Sequence, residues 1–222
     1  MKIELNPVIK EILKWILCII IALILALVIR YYIGTPTVVQ QTSMYPTLKQ
    51  DQRLWLNRLG KTFNKMPKRG DIITFEAPTV KFVLEDQIDL DNPVAIYENE
   101  PETLIRKFTY NVLEVEKISF IKRVIALPGE YVEIKDGLVY VNKKDGKGLQ
   151  PLDESAYLQE GVVTEMGTGL YTGFTVPENC VFAMGDNRGH STDCRNFGCV
   201  PLEKIGGTAV FRFWPLNVIG GI

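Results

Sequence analysis

The sequence predicts a mostly β, antiparallel domain carried behind one N-terminal membrane-spanning helix. Two observations predict it. Residues 15–29 read Trp-Ile-Leu-Cys-Ile-Ile-Ile-Ala-Leu-Ile-Leu-Ala-Leu-Val-Ile, without one polar side chain. Beyond residue 33 the chain breaks into short β-type runs, and its 18 glycines and 12 prolines suit many turns. The 222 residues suffice for an anchor plus one sizeable domain. A hydrophobic content of 46% against 23% charged residues argues against disorder. A formal net charge of −1 gives no sign of a nucleic-acid partner. The sequence holds no internal repeat and no low-complexity tract.

The apolar stretch alone would rise only about 22 Å as a helix, short of the ~30 Å hydrocarbon core. Adding Ile12 and Leu13 before it, and Tyr31, Tyr32 and Ile33 after it, closes the gap. Lys14 and Arg30 then reach the two interfaces, beside Trp15, Tyr31 and Tyr32. The anchor is therefore placed at 12–33, behind an N-terminal segment 1–11. The competing reading is a cleaved secretory leader, whose apolar core is also short. Its cleavage site would show small residues at alternate positions, which Tyr32-Ile33-Gly34-Thr35-Pro36 does not offer well. Lys2, Lys10 and Lys14 precede the span, and only Arg30 and Lys49 come closely after it. That asymmetry predicts a cytoplasmic N-terminus and an extracytoplasmic remainder, 34–222.

Within that remainder, Thr37-Val38-Val39-Gln40 is a candidate strand feeding Ser43, and Asp71–Phe75 is another, entered through the turn Lys68-Arg69-Gly70. Tyr131–Ile134 and Leu138–Val141 flank Lys135-Asp136-Gly137, a hairpin signal. Thr208–Trp214 reads as a final strand. Residues 49–69 are basic and interleaved with Leu54, Trp55, Leu56 and Leu59. Such a stretch suits either an anionic membrane surface or a solvated face over a β core. Residues 76–118 carry ten Asp or Glu against four Lys or Arg. They read as a surface insertion between core strands, with a possible hairpin of its own.

Two strings carry chemistry. Ser43 opens Ser43-Met44-Tyr45-Pro46-Thr47-Leu48 shortly after the anchor, and Lys122 opens Lys122-Arg123-Val124-Ile125-Ala126-Leu127-Pro128-Gly129. A serine is a weak nucleophile until a base takes its proton, and lysine is a known alternative to histidine in that role. With a single histidine, a histidine-based triad has little to build on. An ordinary lysine at pKa ~10.4 costs roughly 4.6 kcal/mol to hold neutral at pH 7. Burial can supply that shift, and Ile118-Ser119-Phe120-Ile121 before Lys122 and Val124-Ile125-Ala126-Leu127 after it suit a dry pocket. Taken alone, the serine string is also an ordinary surface turn, and the lysine a solvent-facing strand residue.

The two strings, their order and the anchor before them resemble a bacterial type I signal peptidase, of the single-anchor form. So do Gly185-Asp186-Asn187-Arg188-Gly189-His190-Ser191-Thr192-Asp193-Cys194-Arg195 and Arg69-Gly70-Asp71-Ile72-Ile73-Thr74-Phe75. The resemblance implies the antiparallel, barrel-like catalytic domain of that family. It casts Ser43 as nucleophile and Lys122 as general base, with Ser191 hydrogen-bonded to the lysine. It pairs Asp186 with Arg123 and Asp193 with Arg195. It places Val39, Met44, Leu48, Phe120 and Ile121 around shallow pockets for small residues before the cut. In several relatives a serine two places before the nucleophile donates to the oxyanion. Here that position is Gln41, followed by Thr42, and either side chain can supply the donor.

Cys194 stands where the family has serine and reads as a small side chain, and His190 as a solvent-exposed bystander. Cys180, Cys194 and Cys199 are an odd number on the oxidising side. A Cys194–Cys199 bridge and buried free thiols are both open. No cluster has metal-ligand spacing, so neither a metal nor an organic cofactor is expected. The expected partners are preproteins bearing signal peptides, and the lipid bilayer. Two alternatives stand beside this reading: a Ser-Lys peptidase dedicated to one surface client, and an inactive relative acting in assembly. The second should have lost Ser43 or Lys122, and both are present.

Overall fold

The structure, a computed structural model, describes residues 6–97, 101–115, 117–167 and 171–222. The first five residues of the expected cytoplasmic segment, and 98–100 and 116 of the acidic insertion, lie outside them. Helix α1 runs Pro7–Val28 and closes in a wider π turn, Ile29–Ile33. It starts earlier than the apolar stretch because Asn6 accepts from the Val8 N–H at 2.9 Å and Pro7 takes the first turn, where its missing N–H costs nothing. At 27 residues the continuous helix is long enough and apolar enough to cross a bilayer, about 40 Å. None of its residues is buried against the rest of the chain.

The remaining elements are β1 Gly34–Val38, β2 Arg53–Asn57, α2 Leu59–Thr62, β3 Ile72–Glu76, α3 Leu104–Asn111, β4 Ser119–Ala126, β5 Tyr131–Lys135, β6 Leu138–Asn142, β7 Leu149–Pro151, β8 Phe174–Thr175, β9 Cys180–Met184, α4 Cys194–Phe197, β10 Val200–Pro201, β11 Ile205–Trp214 and β12 Gly220–Gly221. The strands form two antiparallel sheets. The larger has the order β1-β2-β11-β3-β4-β9-β10, with β12 paired to β11. The smaller has the order β7-β6-β5-β8. The mostly β, antiparallel class expected from the short runs is what the chain adopts. The barrel-like closure is not: β1 and β10 end the larger sheet and do not pair with each other.

Local chemistry explains most elements. Asp136 and Gly137 link β5 to β6 with φ of 51° and 77°, and Lys135 stands opposite Leu138. Two consecutive left-handed residues give the turn whose twist matches a hairpin. Strand β1 begins at Gly34, earlier than expected. Pro36 sits on an edge strand, where its missing donor is harmless. A Cβ at Gly34 would stand 2.5 Å from the Leu56 carbonyl oxygen, so only glycine lets β1 lie against β2.

The acidic insertion forms no hairpin among its described residues. It carries α3, capped by Thr103 Oγ1, which accepts from the Arg106 N–H at 3.3 Å. The insertion is tied to the end of α1: Arg30 Nη2 donates to the Leu113 carbonyl at 3.0 Å and pairs with Glu114 at 3.4 Å. Arg58 also pairs with Glu114 and donates to the Arg30 carbonyl at 3.2 Å. The basic segment supplies β2 and α2, and Thr62 Oγ1 donates to the Tyr32 carbonyl at 2.7 Å.

The main core gathers Ile73, Phe75, Phe120, Val124 and Ile125 with Phe182, Met184 and Phe197 between the sheets. A smaller core packs Val39, Met44 and Leu48 on Leu54, Leu56, Ile72 and Ala209.

Candidate active site

Ser43 sits in the turn leaving β1. Tyr45 N–H donates to the Thr42 carbonyl at 3.0 Å, and Leu48 N–H to the Met44 carbonyl at 2.8 Å. Met44 and Leu48 are fully buried, so the turn is nailed into the smaller core from below. The loop after β9 fixes it from the side. Asn187 N–H donates to the Ser43 carbonyl at 3.0 Å, and its amide donates to the Thr42 carbonyl at 3.1 Å. Thr47 Oγ1 donates to Asp186 at 2.6 Å. Asn187 and Thr47 lie inside the motif strings, yet nothing in their spacing singles them out.

Lys122 approaches from β4, opposite Ile73 of β3. Its Nζ stands 2.8 Å from Ser43 Oγ and donates to the Ile121 carbonyl at 3.0 Å. The Phe120 ring centroid lies 5.1 Å away. The side chain is 1% exposed. Burial pushes its pKa from 10.5 down to about 8, against the smaller opposing pull of the Asp193 carboxylate. At that value about a tenth of the amine is neutral at pH 7. A pair with this geometry can activate an alcohol for attack on a carbonyl.

Arg123 grips Asp186 with two bonds, Nε to Oδ1 at 2.8 Å and Nη2 to Oδ2 at 2.7 Å, and donates to the Gly70 carbonyl at 2.8 Å. Arg195 grips Asp193 twice at 2.9 Å and reaches the Arg188 carbonyl at 2.8 Å. Asp193 is fully buried. Burial alone would raise its pKa, but Arg195 and the Gly185 N–H, donating at 2.9 Å, bring it below the ordinary value. These bidentate pairs join β4 and the loop after β9 into one rigid frame.

Ser191 is placed differently from the expectation. Lys122 spends its contacts on Ser43 Oγ and the Ile121 carbonyl, and Ser191 Oγ is buried beside the Asp193 carboxylate, whose pKa it helps to lower. It lies against Gly185, where a Cβ would meet Ser191 Oγ at 2.2 Å and the Ser43 carbonyl oxygen at 2.4 Å. Cys194 is fully buried, accepts from the Ala183 N–H at 3.1 Å and has its thiol pKa pushed up by burial. It is a packing residue. Cys180 and Cys199 are likewise buried free thiols, and His190 is exposed.

A groove of about 380 Å³ runs between β1 and β4 and ends at Gln41 and Ile121, the latter next in sequence to Lys122. Val39, Gln41, Phe120 and Ile121 are in its lining. Met44 and Leu48 are not: the smaller core has absorbed both. Among the described residues, β1 pairs with β2 alone, and β4 meets β9 from Arg123 onwards. Both strands therefore turn an edge without a ladder partner towards the groove. Depressions of about 740 Å³ lie elsewhere on the molecule, and neither includes Gln41 or Ile121.

Comparison with known proteins gives a consistent picture. The profile of the family "Signal peptidase, peptidase S26" matches residues 12–214. A probable signal peptidase I-1 of Synechocystis is 34% identical over 85% of this chain and 76% of its own. Signal peptidase I T of Bacillus subtilis is 32% identical over 85% of this chain and 78% of its own. Thylakoidal processing peptidase 1 of Arabidopsis thaliana is 32% identical over 84% of this chain, which spans 44% of that longer protein.

Proposed function

The chain belongs to the signal peptidase, peptidase S26, family, and from that premise we propose that it is a membrane-anchored serine endopeptidase. It removes signal peptides from exported preproteins after small-x-small sites. The observation that carries the mechanism is the 2.8 Å approach of a buried lysine amine to Ser43 Oγ. Neutral Lys122 takes the Ser43 proton as Oγ attacks the scissile carbonyl. The Ser43 backbone N–H and the exposed Gln41 amide stabilise the oxyanion. The lysine ammonium then protonates the leaving amine, and the acyl group stays on Ser43 as an ester. Water, deprotonated by the same amine, hydrolyses that ester and restores Ser43 and Lys122. With a pKa of about 8, keeping the amine neutral at pH 7 costs on the order of 1 kcal/mol rather than the roughly 5 kcal/mol of a free lysine.

The remaining assignments derive from that chemistry. α1 anchors the protein, with Lys10 and Lys14 on the cytoplasmic side and the domain from 34 onwards outside. Val39, Phe120 and Ile121 offer shallow apolar surface for small side chains near the cut. An extended peptide can add to the open edges of β1 and β4.

The test is cleavage by the purified full chain, in detergent, of a preprotein whose signal ends in Ala-x-Ala. Wild type should cut it, and Ser43→Ala and Lys122→Ala should each lose at least 10³-fold. Undiminished cutting by Lys122→Ala overturns the dyad. Cutting of one surface client but no generic preprotein favours the dedicated peptidase instead.

A further inference from the structure

The groove does not end in apolar surface. Its far end, away from Ser43, is lined by Arg30, Arg58, Glu76, Glu114 and Lys117. Glu114 serves both arginines, and Glu76 takes Lys117 at 3.3 Å and the Tyr110 hydroxyl at 2.9 Å. The lining thus holds one more cation than carboxylates. Arg58 is 5% exposed, and its Nε is buried with no hydrogen-bond partner among the described residues. The Nε of Arg30 is in the same position. Two N–H donors at one end of a groove lack acceptors, and a buried unmatched donor is costly. Both lie beneath the groove surface, and the exposed part of Arg30, whose side chain is 41% exposed, is what an occupant with an acceptor meets.

The position of this end says which part of a substrate reaches it. Arg30 closes α1, so the far end lies where the chain leaves the apolar helix. A preprotein whose apolar segment sits in the same bilayer passes this end before it reaches Ser43. The residues here therefore precede the cut. From Gln41 back to Thr35 an extended strand covers roughly 20 Å, which places the far end about five to eight residues before the scissile bond.

Resting on the function proposed above, we propose that Arg58 and Arg30 form a specificity subsite for a hydrogen-bond acceptor side chain, best an Asp or Glu, in that stretch of the substrate. Glu114 and Lys117, both from the acidic insertion, shape it, which gives the insertion a part in substrate choice. A carboxylate pairs with the exposed part of Arg30 and meets the excess positive charge of the lining. A lysine meets neither and adds repulsion.

The test is a set of peptides cut at one Ala-x-Ala site, each carrying Asp, Ala or Lys at one of the positions −5 to −8. They are cleaved by the full chain in detergent at low ionic strength. Asp should exceed Lys by about tenfold in kcat/KM at one or two positions, carried by KM and shrinking in high salt. In Arg58→Gln the Asp-to-Lys ratio should fall towards one. That ratio does not depend on how much of the variant folds. Equal kcat/KM for all three residues at every position, with wild type still cutting, overturns the subsite and leaves the peptidase reading intact. No cutting of any peptide overturns both.

Discussion

Replacing Lys122 with methionine should inactivate the protein and stabilise it in one step. The amine is 1% exposed, and burial holds its pKa near 8 against 10.5 when free. That difference is worth about 3 kcal/mol at 1.36 kcal/mol per pKa unit. The sign comes from proton counts. Below about pH 8 the folded and unfolded chains both carry the proton, and the folded chain bears the whole cost of a buried charge. Between about 8 and 10.5 the folded chain releases the proton while the unfolded chain keeps it, so wild-type stability climbs with pH. Above 10.5 the cost is gone. Methionine fills similar volume without a charge but leaves Ser43 Oγ and the Ile121 carbonyl without their donor, a loss of about 1 kcal/mol. The net gain at pH 7 is about 2 kcal/mol, or roughly 4–8 °C in melting temperature for a domain of this size. Thermal unfolding of both full-length proteins in the same detergent, from pH 7 to 10.5, measures it. The difference between the two melting temperatures cancels the other titrating groups. A Lys122→Met protein that melts below wild type at pH 7, or a difference that does not shrink by pH 10, refutes the dry-amine account.

The same geometry sets other outcomes. Wild-type kcat/KM should rise about tenfold per pH unit below about 8 and level off above it, because the base must lose its proton; a pH–rate profile reads this directly. Gly185→Ala places a methyl 2.2 Å from Ser191 Oγ and 2.4 Å from the Ser43 carbonyl. It should destabilise the fold by about 1–3 kcal/mol and, by displacing the Ser43 turn, cost on the order of 100-fold in kcat; denaturation and steady-state rates report the two effects. Gln41→Ala should cost about 10²–10³-fold in kcat if its amide meets the oxyanion, and an unchanged rate assigns the second donor elsewhere.

The site was legible where residue type and chemistry constrain each other. A serine near an apolar anchor, a lysine inside an apolar run and two acid–arginine pairs leave few workable arrangements, and the structure brings those residues together. The β5–β6 hairpin was legible for a similar reason, since Asp136-Gly137 tolerates the left-handed backbone that the turn demands. Depth was not legible. Met44 and Leu48 have the side chains of a pocket wall, yet strands distant in sequence, through Leu54, Leu56 and Ala209, enclose them. Ser191 shows the limit of motif transfer: its neighbours align, but the Lys122 amine spends its hydrogen bonds on Ser43 and the Ile121 carbonyl instead. The helix in the insertion was missed because eight residues give too little periodicity to stand out from their acidic surroundings.

The open rims of β1 and β4 reach beyond catalysis. Main-chain pairing asks of a visitor only that its own amides and carbonyls be unspent. An α-helix has spent nearly all of them internally, so a coiled segment finds no purchase there until it unwinds. Scission by such a site falls on stretched chain: the membrane-buried helical core of a leader and the folded cargo beyond it are both spared, and only the short unwound length between them is exposed to Ser43.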